Sequence, residues 1–332
     1  MRIFYIPSGF PRIYHHIDRC IIQSLRACGH TVTWGSHFKG IGPLTFMIHR
    51  FQPHVVLTTV GFLLPEELLS WLEEKQIHRA IWFTEDPHYM DTTVTLASRY
   101  DVVFSIEENA VNEYKKRGHL HAYHVPLAAD VHTFVPSQEE IKKEFDLCLI
   151  GYPYENRKQL ISHILEHTTY SIFLGGDEWR QFFGQEKHQA RVTIEPYIAP
   201  KDTVSYFHRS SIILNPQRPH DLSMNENTLN IEAYNVNNRT FDLAACQAFQ
   251  LLSYRDRLPF GMKEHTHLAL YKNEEDCLKK IDYYLQRPKA RQKLCQAAYD
   301  TIQSFHTYKH RAETISTILS TAYSLVEQDS LF

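Results

Sequence analysis

The feature that most constrains this chain is a rhythm of short apolar runs separated by segments of helical period, played through twice. In the first 130 residues, "RIFYIP", "HTVTWG", "HVVLTTVG", "RAIWFT", "DVVFSI" and "HAYHVP" read as six strands. Between the first two, Ile17, Ile21, Leu25 and Cys28 recur at helical spacing, and Pro65 opens a helix after the third. Strands this continuously apolar, rather than alternating, belong to a parallel sheet covered on both faces. The rhythm pauses at "AADVHTFVPSQEEIKKEF" and restarts with "FDLCLIG" at 145–151. A helix from 156, "SIFLGG", "RVTIEPY", a helix at 201–208 and "SIILNP" follow, then "QLLS" and "HLALY". Residues 217–236 are polar, Asn-rich and aperiodic, and read as a long loop. The expectation is an α/β chain with two domains, 1–135 and 136–310, which suits a length of 332 residues.

Composition narrows the partners. A net charge of -3 offers no general attraction to nucleic acid or anionic lipid. No apolar run approaches the roughly 20 residues of a membrane-spanning helix, and the apolar start is too short for a signal peptide. A cytoplasmic protein with no integral membrane segment is therefore expected. The six cysteines form no C-x-x-C pair, so reduced thiols are expected. His119, His121 and His124 straddle a strand and do not converge on one ion, so no metal site is expected there.

In open parallel sheets, ligands bind beyond the carboxyl ends of the strands. The residues there include Gly9, Gly61, Glu85-Asp86-Pro87-His88, Gly151, Tyr197 and Asn215. Gly151 lets backbone approach a phosphate, or is a plain turn. Arg157 and Lys158 open the next helix as a diphosphate grip, or as a solvated pair. Neither G-x-G-x-x-G nor a P-loop occurs, which leaves dinucleotide dehydrogenases and P-loop enzymes without their fingerprint. Asp86 and His88 stand where a base could deprotonate an acceptor hydroxyl, or where an Asp-Pro turn opens a helix.

The stretch "NNRTFDLAAC" at 237–246 is a packing helix with a polar start. Asn238 reads as its N-cap, Arg239 as the first helical residue and Asp242 as part of the first turn. Helix-dipole attraction accounts for Asp242 but not for a cation at that end. A phosphate or sugar oxygen on Arg239, and vicinal hydroxyls on Asp242, account for both.

Taken in order, "FTEDPHY", "SRYDVVFSIEENAVNEYKKRG", "HVPLAADVHTF", "FDLCLIGYPYENRKQLI", "SIILNP", "NNRTFDLAACQAFQLLS", "KKIDYYLQRPKARQKLCQAA" and "FHTYKHR" resemble the CgeB/YkvP-type glycosyltransferases, named for a spore maturation protein. The resemblance implies the GT-B architecture, two Rossmann-like domains facing each other across a cleft, with the nucleotide sugar held mainly by the C-terminal one. It implies that residues 311–332 form a helix crossing back to the first, acceptor-side domain. It implies sugar transfer from a nucleoside-diphosphate donor to a hydroxyl acceptor, a spore-surface or cell-envelope glycan or protein. No cofactor or metal is expected, because Arg239, Arg157 and Lys158 would meet the leaving diphosphate. Gly9, Gly151, Tyr197, Asn215, Asn238 and Asp242 complete the implied donor site, and Asp86 or His88 would be the base of an inverting reaction. The family segment carries Glu where this chain has Asp242, so the reach is one methylene shorter. Tyr234 stands where many GT-B enzymes have a further acid. A non-catalytic nucleotide-sugar binder, or an epimerase or phosphorylase on the same fold, is the competing expectation.

Overall fold

The computed structural model describes residues 1–184 and 190–329, with side chains up to Tyr323. The chain divides into two compact units. Unit 1 joins residues 1–127, 220–235 and those from 308 on, and unit 2 joins 128–219 and 236–307.

Unit 1 is a six-stranded sheet of β1 (Arg2–Ile6), β2 (Thr31–Trp34), β3 (Val55–Thr59), β4 (Arg79–Phe83), β5 (Val102–Ser105) and β6 (Ala122–His124). The spatial order is β2-β1-β3-β4-β5-β6, and every pairing is parallel. Its helices are α1 (Ile13–Ala27), α2 (Ile41–Phe51), α3 (Glu66–Glu74), α4 (Met90–Ala97) and α5 (Glu108–Lys116). Ile3, Phe4, Tyr5 and Ile6 of β1 are all fully buried, which is why the strand has no polar alternation.

Unit 2 repeats the plan with β7 (Phe145–Ile150), α6 (Glu155–His167), β8 (Ile172–Gly175), α7 (Trp179–Phe183), β9 (Val192–Glu195), α8 (Pro200–Arg209), β10 (Ser210–Asn215) and α9 (Asn238–Ala245). It continues with β11 (Gln250–Ser253), β12 (Ala269–Tyr271), α10 (Glu274–Leu285) and α11 (Pro288–Phe305), while α12 (Tyr308–Asp329) belongs to unit 1. The sheet order is β12-β11-β10-β7-β8-β9, again parallel throughout. In each sheet the chain leaves its first strand in two directions, so a crevice opens between β1 and β3 and between β7 and β10.

Four details refine the sequence reading. The first unit ends at Leu127 rather than 135, and the loop 220–235 returns to it. Glu107, buried at the start of α5, accepts from the N–H groups of Tyr234 (3.0 Å) and Asn235 (3.1 Å), and Thr228 Oγ1 donates to Asp91 (2.7 Å). α12 is tied to unit 1 by Arg311, which donates to the carbonyls of Pro126 (2.7 Å) and Leu127 (3.1 Å), and by His30 beside Ser316 (2.6 Å). Pro65 is the N-cap of α3 rather than its first residue. α2 has no counterpart in the sequence reading, because Gly40, Gly42 and Pro43 punctuate its start.

Candidate functional site

The crevice of unit 2 collects most of the polar residues singled out in the sequence. Gly151 follows β7 directly, at φ +145°. Its N–H donates to Gly175 O (2.7 Å) and its carbonyl accepts from Trp179 Nε1 (2.7 Å), so its backbone is not free for a phosphate. Its value is the missing side chain. A Cβ there would stand 2.7 Å from Arg157 Nη1 and 3.3 Å from Arg239 Nη1. Two guanidinium groups thus converge on one bare glycine.

Arg157 is buried on the first turn of α6 and is held only by carbonyls. Nε and Nη2 donate to Pro216 O (3.1 and 2.9 Å), Nη1 donates to Tyr152 O (2.9 Å), and the Tyr154 ring lies 4.9 Å away. Burial, and then the charge of Arg239, push its pKa down to about 9. Arg239, on α9, makes no hydrogen bond or ion pair among the described residues. Burial lowers its pKa too, opposed by the nearby Asp242 carboxylate. Like charges gathered out of water without a carboxylate on Arg157 are unfavourable until an anion arrives.

The start of α9 is rigid. The N-cap is Asn237, whose Oδ1 accepts from Thr240 N (3.2 Å), so Asn238 is the first helical residue and Arg239 the second. This corrects the assignment of Asn238 as the cap, and it moves Asp242 out of the first turn. Asn215, fully buried at the end of β10, donates to Asn237 Oδ1 (3.3 Å), Thr240 Oγ1 (3.1 Å) and Gln250 Oε1 (3.2 Å). It accepts from Asn237 Nδ2 at 2.9 Å, and Gln217 Oε1 accepts from Asn237 N at 2.8 Å. Asn215 therefore braces the helix start and has no donor left for a ligand.

One turn along, Asn238 Nδ2 donates to Asp242 Oδ2 (2.7 Å). The other oxygens of this pair, Asn238 Oδ1 and Asp242 Oδ1, are buried without a well-formed hydrogen bond, as is Asn156 Oδ1, although the backbone N–H of Asp130 approaches the Asp242 carboxylate. Burial raises the pKa of Asp242 well above its ordinary value, opposed by Arg239. Buried acceptors left unpaired are costly, and two side by side call for hydroxyl or N–H groups from outside the protein.

Lys158 is 2.6 Å from Glu155 and lies over the Phe182 ring at 4.4 Å, an ion pair on the surface of α6. Tyr197 is exposed after β9, with its N–H on Asp177 Oδ1 (3.1 Å). Gly9, Asp86 and His88 belong to unit 1. Asp86 is buried and accepts from Ser105 Oγ (2.6 Å), Tyr114 OH (2.7 Å) and Thr93 Oγ1 (3.0 Å), which leaves it no room to act as a base on an acceptor. His88 is half-buried in the turn before α4, its N–H on Glu85 O (2.9 Å) and its carbonyl accepting from Glu226 N (2.9 Å). Sequence reasoning missed Asn237, Gln217 and Gln250, whose roles depend on neighbours far along the chain. It also missed Asn156, whose Nδ2 donates to Gln217 O at 3.0 Å. All six cysteines are free, and among the described residues no helix is long and apolar enough to cross a membrane.

Comparison with known proteins agrees with this architecture. A family model described as glycosyl transferase-like matches residues 156–317. The spore protein CgeB of Bacillus subtilis (strain 168) is 32% identical over 308 residues, covering 92% of this chain and 95% of that protein. Among solved structures, sucrose-phosphate synthase from Thermosynechococcus elongatus superposes with a TM-score of 0.71 at 10% identity, over 98% of this chain and 100% of the other. Anabaena HepE in complex with UDP and glucose gives 0.69 at 11% identity, over 97% and 100%. An alpha-glucosyltransferase in complex with UDP gives 0.69 at 11% identity, over 96% and 100%. With two parallel sheets of this order and these relatives, the chain belongs to the CgeB family of glycosyltransferase-like proteins, of GT-B architecture.

Proposed function

We propose that this protein transfers a sugar from a nucleoside-diphosphate donor held in the β7/β10 crevice of unit 2. The observation that carries the reading is the convergence of Arg157 and Arg239 on Gly151, beside the poorly bonded oxygens of Asn238 and Asp242. The guanidinium pair suits a diphosphate, and the two acceptors suit the vicinal hydroxyls of a ribose. In sugar transfer the anomeric carbon gains positive charge while the diphosphate departs as an anion. A guanidinium pair converging on one glycine stabilises that departing charge. No metal is required in this scheme, so activity is expected to persist in EDTA. The acceptor is a hydroxyl compound, and a spore-surface or cell-envelope setting follows from the CgeB relative alone.

The UDP complexes of HepE and the alpha-glucosyltransferase make UDP the first nucleotide to titrate. Arg239→Ala is expected to weaken UDP binding roughly 10- to 100-fold in calorimetry, the worth of a lost charge-assisted pair. Its thermal midpoint should move little, because Arg239 has no hydrogen bond to lose among the described residues. UDP, GDP and dTDP all failing to bind wild type would remove the donor assignment, and unchanged affinity in the variant would remove Arg239 from it. Burial of Asp86 favours, as the second reading, a nucleotide-sugar binder without catalysis. Donor binding with neither hydrolysis nor transfer across an acceptor panel would select it.

A further inference from the structure

Unit 2 holds a second basic cavity, at the opposite end of its sheet from the donor crevice. Ser210 and Ser211, which open β10, and Phe249, which precedes β11, line it. The linker before β7 contributes Lys143, and the first turns of α11 contribute Arg291 and Lys293. The cavity has a volume of about 710 Å³, within the range of small-molecule sites. Every residue that lines it belongs to unit 2.

Its cations are only partly used by the fold. Arg291 donates through Nη1 to the carbonyls of Leu285 (3.1 Å) and Tyr284, at the end of α10, while its Nε and Nη2 donate to nothing among the described residues. Lys143 Nζ donates to His208 O (2.6 Å) and has two N–H groups to spare. Neither forms an ion pair among the described residues, although Glu139 and Glu140 also line the cavity. The first turn of α11 carries no acid to offset its cations. Burial, and then the charge of Arg291, lower the pKa of Lys143, so the two groups repel one another. Like charges gathered at one cavity gain from an arriving anion.

We propose that this cavity binds a small organic phosphate, with the phosphate group between Lys143 and the free edge of Arg291. A phosphate monoester brings nearly two charges and three acceptor oxygens, enough for both cations, where a carboxylate would leave one unmatched. The volume has room for more than a bare phosphate ion. The side chains of Ser211 and Gln292, which line the cavity and have no partner among the described residues, suit polar groups on the rest of the ligand. The site stands at the other end of β10 from Asn215 and does not depend on the donor crevice.

The test is calorimetry of the full chain with glucose-6-phosphate, glycerol-3-phosphate, phosphoserine and AMP, with inorganic phosphate and glucose as comparisons. The proteins are wild type, Lys143→Gln, Lys143→Arg and Arg239→Ala, and the exposed position of Lys143 leaves the core untouched by its substitution. At least one ester should bind wild type, more tightly than inorganic phosphate, and glucose should not bind. The affinity of that ester should fall about tenfold in Lys143→Gln, return in Lys143→Arg and stay unchanged in Arg239→Ala. No ester binding wild type, inorganic phosphate binding as tightly as the best ester, or Lys143→Gln leaving the affinity intact overturns the site. Loss of ester binding in Arg239→Ala with binding kept in Lys143→Gln overturns it too, by placing the ester in the donor crevice.

Discussion

Asp242 shows how one carboxylate can be read from its surroundings. Its Oδ2 is taken by Asn238, its Oδ1 is buried without a well-formed hydrogen bond, and burial holds its proton affinity above the ordinary range. An acceptor so placed gains most from a ligand hydroxyl, and a hydrogen bond of this kind is worth about 0.5–1.5 kcal/mol. UDP should therefore bind more tightly than 2′-deoxy-UDP, by roughly tenfold. Asp242→Ala should erase most of that preference, and competition calorimetry with the two nucleotides measures it. Equal affinities in wild type would show that the diol does not sit on this pair. In the sequence, Asp242 could be marked as a ribose ligand only through family likeness. The orphaned oxygens that argue for it physically depend on burial by residues elsewhere in the chain.

At the scale of the element, α9 is a short helix aimed by its cap. Two consecutive asparagines made the cap ambiguous in the sequence, and the local rule chose the wrong one. The choice is made by Asn215 and Gln217, which hold Asn237 from 22 and 20 residues away. Asn237→Ala should destabilise unit 2 by about 1 kcal/mol or somewhat more, the usual cost of a lost N-cap with an added unpaired neighbour. It should also lower UDP affinity, because Arg239 and Asp242 ride on the helix the cap aims. Denaturant unfolding and UDP titration of one preparation check both, and a variant as stable as wild type would mean that Asn215 alone sets the helix start. The strands, by contrast, were readable, since both faces of each sheet are covered and the apolar runs carry no alternation to misread. α2 was not, because its glycines and proline carry the marks of a turn.

For the molecule as a whole, buried carboxyls tie stability to pH in a direction opposite to the usual one. Burial raises Asp86 from 3.8 to about 6, against three hydroxyl donors that favour the charged form. The folded protein therefore binds this proton more tightly than the unfolded chain does. That contribution is fully present below about pH 4 and is lost as pH rises through 6. Between pH 4 and 7 wild type should lose up to about 3 kcal/mol more stability than Asp86→Asn, which cannot titrate. Urea unfolding across that range, followed by tryptophan fluorescence, gives the two slopes, and parallel slopes would contradict it. The sequence put Asp86 at the right end of the right strand, yet its burial comes from residues 93, 105 and 114 and could not be read locally.

The return of α12 to unit 1 bears on how the chain is made. A ribosome delivers residues in order, and domains near the N-terminus ordinarily fold while the rest is still emerging. Here unit 1 receives its last helix, α12, from beyond unit 2: Ser316 meets His30, and Arg311 donates to the carbonyls of Pro126 and Leu127. All residues of unit 2 lie before 308, so the last residues delivered to the described fold are those that complete unit 1.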